Sequence, residues 1–211
     1  MKNIVVSMNI TLDGYMSGPD CELNWHFESW TEDMGRRLAA ELGKADTVLL
    51  GRTTYQAMAS YWPAKGIDLL AAREDLAFAV MMNSHRKIVY SNTLKKTAWN
   101  NSIIINGDLE NAVLRLKQEQ GKHIIIYGSG QLIASMLAAG LIDEFQLWIH
   151  PVMLGKGKAL FRTALKTCTL HLLQSEVFSS GVVLLHYRVS YLASTAEASS
   201  LAERFPTVPF S

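Results

Sequence analysis

The stretch that most restricts the fold is IIIYGSGQLIASMLAAGLIDEF, residues 124–145. Three isoleucines and a tyrosine have the composition of a buried strand, and they run straight into Gly128-Ser129-Gly130. An apolar helical pattern follows and stops at Gly140. A wholly apolar strand that turns through glycines into a helix is a βα unit. Such strands belong to parallel sheets covered by helices on both faces. The bare backbone at the turn has two possible uses: to bring amide N–H groups up to a phosphate, or simply to make a tight corner.

The rest of the chain repeats the alternation. Residues 3–10 read as a buried strand and 11–30 as a long loop carrying Gly14, Gly18 and Pro19, with Trp25 and Trp30 at its far end. A helix is expected over 31–43, with Thr31 as N-cap, Glu32 and Asp33 at its positive start and Gly43 at its stop. A strand at 46–50 leads into Gly51-Arg52-Thr53-Thr54 and a helix through about Ala59, then a loop at 60–67 around Trp62-Pro63. Helical spacing returns over 68–82, including Leu69 and Leu70. Strands are expected at 86–90, 102–106, 122–127 and 143–150, helices at 108–120 and 130–139, a turn at 155–158, and two final strands at 168–178 and 181–191. This order predicts one α/β domain over residues 1–192, with a mostly parallel sheet closed by an antiparallel C-terminal hairpin. Residues 193–211 are small, polar and Pro-bearing, and read as a C-terminal tail, loosely held or docked on a partner.

Composition removes several classes of function. Twenty Lys and Arg against nineteen Asp and Glu give a formal charge of +1, which supports neither a nucleic-acid nor a membrane-surface role. Two cysteines, Cys21 and Cys168, make no disulfide framework and no zinc spacing. The six histidines are scattered, and no metal site is expected. No apolar run approaches the ~20 residues of a membrane helix. With no signal-peptide pattern at the N-terminus, the expected location is the cytoplasm.

Three expected strand ends carry chemistry: VLLGRTTY at 48–55, VYSNT at 89–93 and IIIYGSGQL at 124–132. Ligands of open α/β sheets bind outside the carboxyl ends of the strands. Arg52, at a helix start, has the fork geometry for a phosphate, or else pairs with a carboxylate. Thr53, Thr54, Ser91 and Thr93 add hydroxyls, and equally serve as caps and turn residues. Gly128-Ser129-Gly130 matches only the first two glycines of the dinucleotide fingerprint, and His150-Pro151 stands where its acid is expected, about 20 residues on. Asp13, before Gly14, is a substrate acceptor or a turn former. Asp33 is a proton carrier or a helix-start acid. Trp25, Phe27 and Trp30 pack over a planar ligand or into the core, and Gly155-Lys156-Gly157-Lys158 touches a phosphate or makes a turn.

MNITLDGYMSGPD, LLGRTTYQAM and IIIYGSGQLIASMLAAGLIDEFQLWIHPVMLGKGKALF together resemble the dihydrofolate-reductase-like family that includes the reductase domain of the bifunctional riboflavin-biosynthesis deaminase-reductase. The resemblance spans about residues 2–190. It implies a dihydrofolate-reductase-like three-layer α/β/α fold, NADPH as cofactor and a homodimer. It places Gly51, Arg52, Thr53 and Thr54 at the adenosine-side phosphates, Ser91 along the adenosine end, and Gly128, Ser129, Gly130, Gln131 and Leu132 around the pyrophosphate. Tyr127 would border the nicotinamide, and Asp13 matches the aspartate of the family's substrate-loop motif. Riboflavin-pathway reductases carry Glu-Gly-Gly at this turn. Tyr127 stands in place of that glutamate, which implies a lost substrate contact. The implied activity is NADPH-dependent reduction of a C=N or C=O bond in a small pyrimidine- or pterin-like substrate, resembling 5-amino-6-(5-phosphoribosylamino)uracil reductase. The alternatives are a non-catalytic dinucleotide-binding dimeric module and a true dihydrofolate reductase.

Overall fold

A computed structural model describes residues 1–67, 73–161 and 167–191. Leu69, Leu70 and the expected tail at 193–211 lie outside the described residues. In chain order the elements are β1 (Ile4–Thr11), β2 (Tyr15–Ser17), α1 (Asn24–Phe27), α2 (Glu32–Gly43), β3 (Ala45–Gly51), α3 (Arg52–Lys65), α4 (Arg73–Ser84), β4 (Arg86–Tyr90), β5 (Ser102–Ile105), α5 (Leu109–Gln118), β6 (His123–Tyr127), α6 (Gly130–Ala138), β7 (Glu144–His150), β8 (Lys158–Ala159), β9 (Cys168–Val177) and β10 (Val183–Tyr191). Eight strands form one sheet in the order β5-β4-β3-β6-β1-β7-β10-β9. The first six are parallel, and β10 and β9 close the sheet as an antiparallel hairpin.

Strand alternation divides the core in two. Ile4, Val6, Met8, Leu49, Ile88, Ile124 and Ile126 face α5 and α6, packing on Val113, Leu116, Leu132, Ile133 and Met136. Their sequence neighbours Val48, Leu50, Val89, Ile125 and Tyr127 point the other way, onto Leu42, Tyr55, Phe78 and Met82 of α2, α3 and α4. The fold is therefore three layers with the sheet in the middle, as the period-2 pattern of fully apolar strands requires.

Several boundaries differ from the sequence reading. α3 does not stop at Ala59 but runs through Pro63. A proline in the last turn costs one helix bond, and Trp62 packs against Phe78 of α4 at 5.1 Å between ring centres, which holds that turn in place. The expected loop 11–30 contains β2, which pairs with β8 in a small second sheet, and the single turn α1. The 155–158 segment is the turn into β8. Lys158 Nζ donates to Cys21 Sγ at 2.6 Å. Thr31 precedes α2 but makes no side-chain cap to it, its hydroxyl bonding the Asp33 carboxylate instead.

Fully buried Lys87 ties β4 to the end of α4, donating to the carbonyls of Met82 and Asn83, both at 2.9 Å, with its ammonium 4.4 Å from the centre of the Trp99 ring. Burial pushes its pKa down to about 8. No helix of the described residues is long and apolar enough to cross a membrane. Among the same residues, no group of three or more His, Cys, Asp and Glu side chains is placed to hold a metal ion.

Candidate active site

Strand register builds a step at the carboxyl edge of the sheet. Gly51 is level with Tyr90, while Leu49 is level with Ile126, so β3, β4 and β6 end near one height. Ser7 pairs with Tyr127 at the end of β6, but β1 runs on beside β7 until Thr11 meets His150. At about 3.3 Å per residue that makes a wall roughly 13 Å taller than the floor.

The floor is a glycine cradle formed where two helix starts meet. β3 and β6 are neighbours, and each feeds a helix directly, so the starts of α3 and α6 lie side by side. Neither helix has a side-chain cap or an acid in its first turn. By contrast, α2 begins with Glu32 and Asp33, and α5 has the Asp108 carboxylate accepting from Asn111 N. Among the described residues, the positive ends of α3 and α6 are thus left without an acidic partner where they meet. Ser129 Oγ accepts from Gly51 N at 2.7 Å, joining the two strand ends. Ser129 holds left-handed φ 65°, ψ 58°. Gly128 precedes it at φ 72°. A Cβ on Gly128 would stand 3.1 Å from Thr54 Cγ2, and one on Gly130 would collide with the Met16 thioether.

Arg52 is exposed at the first position of α3, and its Nη1 donates to Thr93 Oγ1 at 2.7 Å. No carboxylate pairs with it among the described residues. Ser91 is buried and its hydroxyl accepts from Thr93 N and Leu94 N, shaping the loop after β4. Thr53 is exposed beside Arg52, and Thr54 packs on Gly128. Gln131 is exposed on α6, while Leu132 is a core residue that anchors that helix. The structure therefore gathers Gly51, Arg52, Thr53, Thr54, Ser91, Gly128, Ser129, Gly130 and Gln131 along one edge.

Tyr127 adds only its backbone to that edge. Its ring lies in the core with Tyr55 and Phe78, and its hydroxyl is buried without a partner among the described residues. Burial, and then the charge of Glu41, raises the phenol far above its ordinary pKa. Asp13 is engaged elsewhere: it accepts from Thr11 Oγ1 at 2.5 Å, Gly155 N at 2.8 Å and Leu154 N at 3.3 Å, stapling the β1–β2 turn to the β7–β8 connection. The Thr11 hydroxyl foremost holds its carboxyl below the usual range. The Thr31 hydroxyl does the same for Asp33 at the start of α2. Both are carboxylates at neutral pH, able to accept a proton rather than give one.

Above the wall lies a group that the sequence did not bring together. His150 is fully buried, with Nδ1 2.7 Å from Ser29 Oγ and Nε2 3.1 Å from Asn9 Oδ1. Trp25 and His26 cover it, edge-on at 5.2 and 6.0 Å between ring centres. Burial, and then the neighbouring His26, pushes the His150 pKa down to about 4. The only local sign of this group was a histidine closing a strand just before Pro151. Its partners are 121 and 141 residues away in the chain.

Residues 2–184 match the model of the RibD C-terminal domain. The chain belongs to the RibD C-terminal domain family. The uncharacterized protein YyaP of Bacillus subtilis (strain 168) is 35% identical over 186 residues, covering 88% of this chain and 94% of that protein. A putative riboflavin biosynthesis protein from Shewanella sp. PV-4 has a similar fold, with a TM-score of 0.70 at 21% identity over 89% of this chain and 99% of that one. A diaminohydroxyphosphoribosylaminopyrimidine deaminase/5-amino-6-(5-phosphoribosylamino)uracil reductase from Thermotoga maritima follows at TM-score 0.61 and 15% identity, over 89% of this chain but 56% of that one.

In this RibD C-terminal domain the glycine cradle makes a direct prediction. Gly128→Ala puts a Cβ at left-handed φ and against Thr54, and is expected to lower stability by about 1–2 kcal/mol. The midpoint of urea unfolding measures it, and an unchanged midpoint would show that the turn relaxes freely.

Proposed function

We propose that this chain is an NADPH-dependent oxidoreductase that reduces a C=N or C=O bond of a small, flat heterocycle of pyrimidine or pterin type. The observation that carries the reading is the pair of uncapped, acid-free helix starts meeting at the glycine cradle beside Arg52. Two helix N-termini together suit a diphosphate. The missing side chains at Gly128 and Gly130 let Thr54 and Met16 pack directly on the turn, which holds the two helix starts together. Family membership supports the reductase chemistry, because the similar Thermotoga maritima protein is described as a uracil-derivative reductase.

The backbone at 129–132 would hold the diphosphate, Arg52, Thr53 and Thr54 beside Gly51 the adenosine-side phosphates, with Arg52 on the 2′-phosphate, and the Ser91 loop the adenosine end. NADPH supplies the hydride when bound. The protein's part is to hold the acceptor bond over the wall formed by β1 and β7. With Asp13 and Asp33 held as carboxylates, neither is the proton donor, and a proton reaches the product from water.

Titrating the chain with NADPH and following tryptophan fluorescence tests the cofactor. Saturable binding, with NADPH consumed against a panel of imines and carbonyls, is the expected result. No binding would reduce the cradle to a structural corner. Binding without turnover on any acceptor would select the non-catalytic module, a reading favoured by the engagement of both aspartates. We also infer a homodimer, with the sheet-edge strand β9 and its exposed Leu172 and Val177 as the contact surface. Sedimentation at micromolar concentration checks it.

A further inference from the structure

Both ring nitrogens of His150 are spent. The imidazole is neutral at pH 7, so Nε2–H donates to Asn9 Oδ1 and Nδ1 accepts from the Ser29 hydroxyl. His150 therefore fixes the position of its neighbours and has nothing left to offer a ligand. The Trp25 ring above it is in the opposite condition. Trp25 Nε1 and His26 Nδ1 are buried; among the described residues Trp25 Nε1 has no hydrogen-bond partner, while His26 has the Leu23 backbone beside it. Buried polar atoms without partners are uncommon and costly. An indole N–H can only donate, so what is missing opposite Trp25 is an acceptor.

The segment that carries these nitrogens is lightly held. α1 buries no residue, and Phe27 at its end is 66% exposed. Its polar tether to the sheet is the Ser29–His150 contact. The segment can therefore lift from the wall at small cost, admit a ligand and close with the Trp25 donor satisfied. Burial lowers the pKa of His26 as well, so the edge it presents is neutral.

We propose that Trp25 and His26 form the edge of a substrate subsite that recognises the carbonyl or ring-nitrogen acceptors of a flat, uncharged heterocycle, with His150, Ser29 and Asn9 as positioning residues. The inference deepens the proposed reductase reading and rests on it for the identity of the site, although binding can be measured without turnover.

The test is calorimetric titration of the full chain with lumazine, a flat pteridinedione, with and without NADPH. Trp25→Phe keeps an aromatic ring and removes the donor together with part of the indole's bulk. It is expected to weaken lumazine about tenfold and leave NADPH unchanged. Ser29→Ala is expected to weaken lumazine several-fold, and Ser29→Thr to restore it, which a merely structural serine would not require. Wild type that fails to bind lumazine, or Trp25→Phe that binds it equally well, overturns the proposal. Loss of NADPH binding alone, with the Trp25 dependence intact, overturns the reductase reading and leaves this subsite standing.

Discussion

Arg52→Ala is expected to weaken NADPH by about 10- to 100-fold and to leave NADH within about twofold. Arg52 projects from the first position of α3, exposed, tethered to Thr93 and free of any carboxylate among the described residues. A charge-assisted hydrogen bond to a 2′-phosphate contributes roughly 1.5–3 kcal/mol, and each 1.4 kcal/mol is a factor of about ten in affinity. NADH has no 2′-phosphate, so it does not feel the loss. Parallel fluorescence titrations of the two nucleotides against wild type and variant measure the effect. Equal weakening of both would move Arg52 from 2′-phosphate recognition to general support of the cradle. The difference should shrink as salt rises, because the site is open to solvent.

Wild type is expected to lose roughly 2 kcal/mol of stability between pH 7 and pH 5 through His150 alone. Its folded pKa of about 4 lies below the ordinary 6.5, because burial disfavours the charged ring. Between those values the unfolded chain binds the proton and the folded chain does not. The stability is thus complete above about pH 6.5 and declines as pH falls toward 4. His26 acts in the same direction. The carboxylates held low, among them Glu144 beside His186 and Asp46 beside Lys2, lose their contribution only at lower pH, as each falls through its own depressed value. Urea unfolding at pH 7, 6 and 5 isolates the histidine window. His150→Gln, which keeps a neutral donor and acceptor, should flatten that slope. An unchanged slope would show that His150 takes up its proton equally in the folded and unfolded chain.

The parts of this site that were legible in the sequence are those made by neighbours in the chain. Arg52 at a helix start and glycines at a strand end are local arrangements, and local backbone preference enforces them whatever surrounds them. The strands were legible because fully apolar runs of isoleucine and valine have one stable use, burial on both faces. Pro63 misled because a proline normally ends a helix. In α3 the packing of Trp62 on Phe78 outweighs the single bond it removes. Asp13 illustrates the opposite limit: its place beside a turn glycine was visible, but its bonds to Leu154 and Gly155 come from across the fold.

By itself, the amino-acid sequence determined the order of the eight main-sheet strands and of α2 to α6, the glycine turn and the cation at the start of α3, since each depends on periodicity or on residues within a few positions. Tertiary structure alone decided that α3 and α6 start side by side, that the ring of Tyr127 enters the core, and that His150 meets Asn9 and Ser29. Those outcomes depend on which strands become neighbours and in what register. That is settled by burying two apolar sheet faces at once, a property of the whole chain that no single stretch carries.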